Sequence, residues 1–330
     1  GATSVIHDPH EIANVLGADG VRSLIADAAH TPLKARITVP SSVPASGLQD
    51  GGATVDAADV AALLEEEVVT ALGEVMNVPG VLAGDEEVHA KIEAARERGL
   101  TVDGHAPRVT GSDLQEVARY LDNDHESIST AEALAKAEAG MRVYLREGSA
   151  SKNLEDLVAL VDEVDTRRLS LCTDDRDVVD LVERGGVDFV VKKAMDLGVD
   201  PVETVQMATL NTAESYGLPF GRVEPGAPAD LVLLSDLQSW DVEGVVVDGK
   251  VDPTAGAAEP PPSEIATDTV QFDPVDGADL AIEHDGPGPV TVRAVDAVGG
   301  LQTARMEADV PVEVDASPSG TEGVLAADTD

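Results

Sequence analysis

The residues in this chain best suited to chemistry are carboxylates and imidazoles that follow short apolar runs. Glu74 stands in "GEVMNVPG", an acid amid apolar neighbours, which is costly to bury unless it is paired or metal-bound. His105 ends the run "TVDGHAP", with Gly104 and Pro107 leaving little regular structure around it. His125 and Glu126 sit together in "NDHES", Arg146 and Glu147 close "MRVYLREGS", and Asp174 and Asp175 close "RRLSLCTDD". Neutral imidazoles and carboxylates gathered at one place suit Zn²⁺, Mn²⁺ or Fe²⁺, and without thiolates the centre is expected to be catalytic, not structural. Such ions make water nucleophilic at neutral pH, with a nearby carboxylate to take and return the proton. The chemistry expected is hydrolysis at an electrophilic carbon.

The opening "GATSVIHDPHE" offers two more imidazoles, His7 and His10. Residues three apart on a strand face opposite sides, so the two cannot share one ion unless Pro9 bends the chain. His30, His89 and His284 stand in helical or loop contexts and read as surface or hydrogen-bonded residues.

A repeating unit positions these groups. From residue 1 to about 176, short β-branched runs ("ATSVI", "KARITVP", "TALGEVMN", "GLTVDGHA", "HESIST", "MRVYLREGS", "RRLSLCTDD") alternate with amphipathic helices. "DEEVHAKIEAARERG" has Asp85 as its cap and Gly99 as its stop, and "SDLQEVARYL" reads as a Ser112/Gln115 capping box. Alternation of this kind means a parallel sheet. Seven runs favour a (β/α)8 TIM-type barrel, incomplete by one strand, over an open doubly wound sheet, and no G-x-G-x-x-G or P-loop supports the latter. Barrel enzymes place their chemistry at strand C-termini, where these polar residues fall. Closure needs an eighth strand, whose expected place is ahead of residue 1.

The domain reading is an incomplete hydrolase barrel over 1–217, strands of a small β-sandwich over 218–252, a Pro/Ala/Glu linker over 253–265, and a β-rich C-terminal part over 266–330. In that last part "PVTVRAVDAVGGLQTARMEADVPVEV" alternates around a Gly-Gly turn.

Composition narrows the partners. The 22 basic and 63 acidic residues give a net charge of −41, spread along the chain, which argues against nucleic acid or anionic membrane as a ligand. Seven lysines, 2% aromatics and an Ala/Val core resemble proteins of high-salt cytoplasms, where screening relieves self-repulsion. Cys172 is the lone cysteine, so no intrachain disulfide forms, and no apolar run approaches the roughly 20 residues of a membrane span. A cytoplasmic protein is expected.

The blocks "DPHEIANVLG", "PSSVPA", "GEVMNVPGV", "DGHAP", "DHES", "REGS", "CTDDR" and "ATLNTAESYGL…GRVEPGAPADLVLL" resemble, in order, those of the adenine deaminases, within the metal-dependent amidohydrolase superfamily. The resemblance implies hydrolysis of adenine to hypoxanthine and ammonia at a centre of two divalent ions, Mn²⁺ or Fe²⁺, with Zn²⁺ an alternative, in a chain whose family often assembles into homo-oligomers. It assigns Glu74, His105, His125 and Asp174 as metal ligands, with Asp174 also the proton carrier and Glu126 its catalytic partner. His10, Glu11, Arg146, Ser149 and Asp175 would bind the base or support the ligands, and His7 would be incidental. Three departures stand out: no H-x-H pair occurs in the sequence, Ser42 replaces a frequent Cys, and "GGVDFVVKKA" carries no His. A centre short of the H-x-H ligands is expected to leave these 330 residues weakly active or inactive. The alternatives are another cyclic amide or amidine hydrolase, or a degenerate, non-catalytic subunit.

Overall fold

The computed structural model describes residues 1–46, 49 and 51–251, together with the backbone of four segments, 290–297, 303–310, 313–314 and 323–324. The chain divides into two compact units, Gly1–Thr267 and Asp268–Asp330.

In the first unit, strands and helices alternate as the apolar runs require. The order is β1 (Ser4–His7), α1 (His10–Ala28), β2 (Lys34–Val39), α2 (Ala57–Leu63), β3 (Val69–Val75), α3 (Val78–Ala83), α4 (Glu86–Glu97) and β4 (Thr101–Gly104). It continues with α5 (Gly111–Val117), β5 (Asn123–Asp124), α6 (Thr130–Glu138), β6 (Arg142–Arg146), α7 (Leu154–Leu157) and β7 (Leu169–Cys172). Four helices come next, α8 (Val178–Glu183), α9 (Val187–Asp196), α10 (Pro201–Ala208) and α11 (Leu210–Ser215). The antiparallel sheet of β8 (Leu231–Leu234), β9 (Val242–Val247) and β10 (Lys250–Val251) ends the described part of this unit.

Among the described residues, β1 to β7 are parallel to their partners and lie in chain order, curling into an incomplete (β/α) barrel. Two ladders make up its wall, β1–β4 and β5–β7. Each ladder has its own apolar core. One gathers Ile37, Val39, Leu63, Leu72, Val102 and Leu121; the other gathers Val143, Leu145, Leu157, Leu169, Val190 and Met207. Between them the wall is stitched where Asp122 N–H donates to Val102 C=O at 2.9 Å and Arg142 N–H donates to Asp122 C=O at 2.8 Å.

Local signals worked unevenly. Asp85 caps α4, accepting from the N–H groups of Glu87 and Val88 at 3.0 Å. The expected Ser112/Gln115 capping box is absent: α5 begins at Gly111, so its cap is Thr110, two residues before Ser112, and the Thr110 side chain makes no capping bond. A capping box does form at α2, between Asp56 and Asp59. The run "HESIST" is not a strand. The strand is Asn123–Asp124 just before it, because the N–H groups of Glu126 and Ile128 turn to the carboxylates of Asp124 and Glu132 instead of a neighbouring strand. Helix α1 is interrupted at Gly17, whose φ of +63° suits glycine.

In the second unit β11 (Val290–Ala297) pairs antiparallel with β12 (Thr303–Val310), and β13 (Glu313–Val314) with β14 (Gly323–Val324). The Gly-Gly turn, the linker 253–265 and His284 lie outside the described residues. No helix among the described residues is long and apolar enough to cross a membrane.

Candidate metal centre

Glu74, near the end of β3, lies at the middle of the polar cluster. Its Oε2 is 2.7 Å from His105 Nδ1, just past β4, and 3.1 Å from His125 Nε2, just past β5. Its Oε1 is 3.4 Å from His10 Nδ1, at the start of α1. Asp174, two residues past β7, brings Oδ1 to 3.3 Å from His125 Nε2. The rings of His105 and His125 stand edge to face, centroids 5.4 Å apart. Five strands therefore deliver side chains to one place, because each polar residue follows its strand at the same end of a parallel sheet.

The backbone around Glu74 is held from two sides. Asp8 accepts from Glu74 N–H at 2.9 Å, while Ser41 Oγ donates to Glu74 C=O at 2.6 Å. Ser42 Oγ accepts from Met76 N–H at 3.1 Å, so "PSSVPA" buttresses the strand end that presents Glu74. Gly73 makes the first contact possible, since a Cβ there would collide with the Asp8 carboxylate. Asp174 sits in the left-handed region, with φ +55°, a conformation that non-glycine residues adopt at a cost. Its Oδ2 accepts from Asp175 N–H at 2.7 Å, which holds the turn.

Charge in the cluster is balanced by protons. Burial disfavours the His125 imidazolium, but the carboxylates of Glu74, Asp174 and Asp124 outweigh it and push the ring up to about 10. His10 is likewise pushed up to about 9 against its own burial, by Asp8, Glu74 and Glu11. Burial raises the Glu74 carboxyl, yet His105 and His125 hold it well below the usual range. Asp8 is raised, chiefly by burial. A divalent ion would replace these protons as the source of positive charge.

The donor atoms fit such an ion. Three groups of residues each bring one ligand atom apiece within 4.8 Å of one another: Glu74, His105 and His125; Asp8, His10 and Glu74; and His125, Glu126 and Asp174. Three of the atoms, His125 Nε2, His10 Nδ1 and Asp8 Oδ1, are buried without a hydrogen-bond partner. Buried polar atoms are rarely left unsatisfied, and nitrogen and oxygen donors around a shared carboxylate are what a Zn²⁺-, Mn²⁺- or Fe²⁺-type ion takes. Glu126 is less available than the rest, since the Arg146 guanidinium pairs with it and lies 3.2 Å from Asp174 Oδ1.

Of the residues expected from sequence, Glu74, His105, His125, Glu126, Arg146, Asp174 and His10 meet here. Glu11 touches the margin, 3.2 Å from His10 Nε2, with its own side chain 60% exposed. Burial beside Asp174 and Glu11 raises the Asp175 carboxyl. The Ser149 hydroxyl is turned to α8, donating to Asp180 at 2.6 Å and accepting from Asp177 N–H at 3.0 Å. His7 is exposed. Asp8 joins the cluster without having stood out in the sequence, where its signal is an acid set between an apolar run and Pro9.

A profile of the amidohydrolase family matches residues 1–251, three-quarters of the chain. The chain belongs to the amidohydrolase family. Among curated amidohydrolases it is 40% identical to an adenine deaminase of Methanothermobacter thermautotrophicus, over 100% of this chain and 59% of that protein. It is 43% identical to an adenine deaminase of Desulfatibacillum aliphaticivorans, over 86% of this chain and 51% of that one. The chain thus spans about half the length of the curated relatives it matches. Among solved structures, a β-aspartyl dipeptidase from Fervidobacterium islandicum aligns with a TM-score of 0.53 at 16% identity, over 76% of this chain and 74% of that one. An adenine deaminase crystal structure aligns with a TM-score of 0.51 at 14% identity, over 76% of this chain and 77% of that one. At these identities the structures establish the amidohydrolase fold alone.

Proposed function

We propose that this chain carries the adenine deaminase reaction, in which adenine and water give hypoxanthine and ammonia. The observation that carries the reading is the orphaned His125 Nε2, buried between Glu74 and Asp174. The curated relatives named adenine deaminase support the choice of substrate.

Glu74, His105, His125 and Asp174 would hold one divalent ion, and Asp8 and His10 with Glu74 a second, with Mn²⁺ or Fe²⁺ preferred over Zn²⁺. The bound ions supply Lewis acidity and lower the pKa of water. Asp174 would take a proton from the attacking water as the C6–O bond forms and deliver it to the leaving amine as the C6–N bond breaks, the second proton of the water ending on the ring nitrogen of hypoxanthine. Its left-handed backbone and its ion pair with Arg146 fix where that carboxylate points. Glu126, held by Arg146, serves as the partner carboxylate toward the purine ring, and Asp175 and Glu11 line the approach. The acidic surface and single cysteine favour a cytoplasmic setting, with the neutral base adenine as ligand.

The test is ammonia release by the Mn²⁺-treated chain from adenine, cytosine, guanine and a dihydropyrimidine. Slow, chelator-sensitive release from adenine alone is expected, slow because the 330 residues hold no H-x-H pair. Faster release from another base would move the chain to a different amidine or amide. Binding of metal and adenine without any ammonia would make it a binding subunit.

A further inference from the structure

Lys136 is fully buried in α6, an unusual place for an ammonium group. All three of its protons are used: Nζ donates to Asp124 Oδ2 at 2.8 Å, to Glu132 Oε1 at 2.8 Å and to Ser127 Oγ at 3.1 Å. Beyond Lys136, the two carboxylates accept from backbone N–H groups of two loops, and Asp124 also accepts from Ser127 Oγ at 2.9 Å. Asp124 accepts from Ala106 at 2.8 Å and from Glu126 at 3.1 Å. Glu132 accepts from Arg108 at 2.7 Å and from Ile128 at 3.2 Å. The first loop follows His105, and the second begins at His125.

We infer that Lys136, with Asp124 and Glu132, is a buried positioning clamp that fixes His105 and His125 relative to each other for ion binding. The inference rests on the metal-centre reading. Three features carry it. His105 follows β4 and His125 follows β5, strands of two ladders bridged by individual bonds such as Asp122 N–H to Val102 C=O and Gly104 N–H to Asn123 Oδ1 at 3.1 Å, so no continuous ladder sets their separation. The strand ahead of His125 is only Asn123–Asp124, too short to orient the histidine by itself. Arg108 holds a left-handed φ of +62°, which its bond to Glu132 keeps in place. A salt bridge serving stability alone would not need to place its acceptors on four amides of two ligand loops. Buried ion pairs are weak sources of stability but effective at selecting one arrangement.

The experiment compares the parent chain with Lys136→Met, and with Glu132→Gln, which keeps the Lys136–Asp124 pair and decides the matter should Lys136→Met not fold. Amide hydrogen exchange is read at Ala106, Arg108, Glu126 and Ile128 and in β2 and β3, without metal. Mn²⁺ affinity is measured in parallel. We expect protection to fall at least about tenfold, at all four amides in Lys136→Met and at Arg108 and Ile128 in Glu132→Gln, with β2 and β3 unchanged, and Mn²⁺ affinity to fall about 10- to 100-fold, the usual effect of losing a group that orients a ligand. Unchanged protection at the four amides, or an equal loss across β2 and β3, would overturn the clamp. A parent chain that binds no Mn²⁺ would sink the metal-centre reading instead, and the exchange data would still judge the clamp.

Discussion

His125 Nε2 lies 3.1 Å from Glu74 Oε2 but forms no hydrogen bond with it. Two further carboxylate contacts surround the same nitrogen, Asp174 Oδ1 at 3.3 Å and Glu126 Oε1 at 3.9 Å, a donor set suited to a shared ion. We therefore expect His125→Ala to abolish tight Mn²⁺ binding and the stabilisation that comes with it. For the parent chain at 100 times its dissociation constant, that stabilisation is about 2.7 kcal/mol. Thermal unfolding with and without Mn²⁺ checks this; an equal metal-induced shift in the variant would refute the assignment.

Asp174→Asn keeps the size of the side chain and removes the base. Ammonia release from adenine should drop by about 10²- to 10⁴-fold, the usual contribution of a positioned acid–base group. Measurement at several pH values separates lost proton transfer from lost binding, since only the former leaves adenine affinity intact.

Gly73→Ala puts a methyl group where the Asp8 carboxylate sits. Asp8 would then lose its bond to Glu74 N–H. A drop of about tenfold in Mn²⁺ affinity is expected. A calorimetric titration that matches the parent would show Asp8 to be dispensable.

Asp103 is buried, with Asn123 Nδ2 2.5 Å and Tyr216 Oη 3.0 Å away. Burial pushes its carboxyl up to about 7 from an ordinary 3.8. Between those values the folded chain keeps a proton that the unfolded chain has released, so stability falls as pH rises, by at most about 1.4 kcal/mol per pH unit. Asp103→Asn should flatten that slope. Urea unfolding of the metal-free proteins at pH 5, 6 and 7 tests it, and parallel curves would contradict the assignment.

Arg146→Met strands the buried carboxylate of Glu126 and should cost about 3–5 kcal/mol. Adding Glu126→Gln should recover a large part of the loss. A double-mutant cycle showing simple additivity would mean the pair is not coupled.

How much of this was legible beforehand depended on which residues broke an apolar pattern. Glu74, His105 and Asp174 each end a β-branched run, so a polar residue there announces a strand terminus facing a shared rim. His125 was found but its strand was misplaced: Asn123 and Asp124 are both polar, and two residues carry no periodicity. Asp8 was hidden by the more conspicuous histidines on either side of it. Lys136 was hidden more thoroughly. In "AEALAKAEA" a lysine at helical spacing from glutamates reads as a solvated face, yet α6 turns it inward, where only the tertiary contacts with Asp124 and Ser127 reveal it. The two-ladder wall was equally invisible, since alternation specifies strand order but not where hydrogen bonding between strands lapses.

Because the described barrel strands pair with their neighbours in the chain, the residues of the cluster follow one another along the sequence in the order of the wall. Glu74, His105, His125 and the clamp on α6 have all been made by Glu138, whereas Asp174 follows 36 residues later. At the usual pace of about 5–20 residues per second, roughly 2–7 s separate the two events. The imidazoles of His105 and His125 and the Glu74 carboxylate are thus synthesised well ahead of Asp174, the residue proposed to carry the proton.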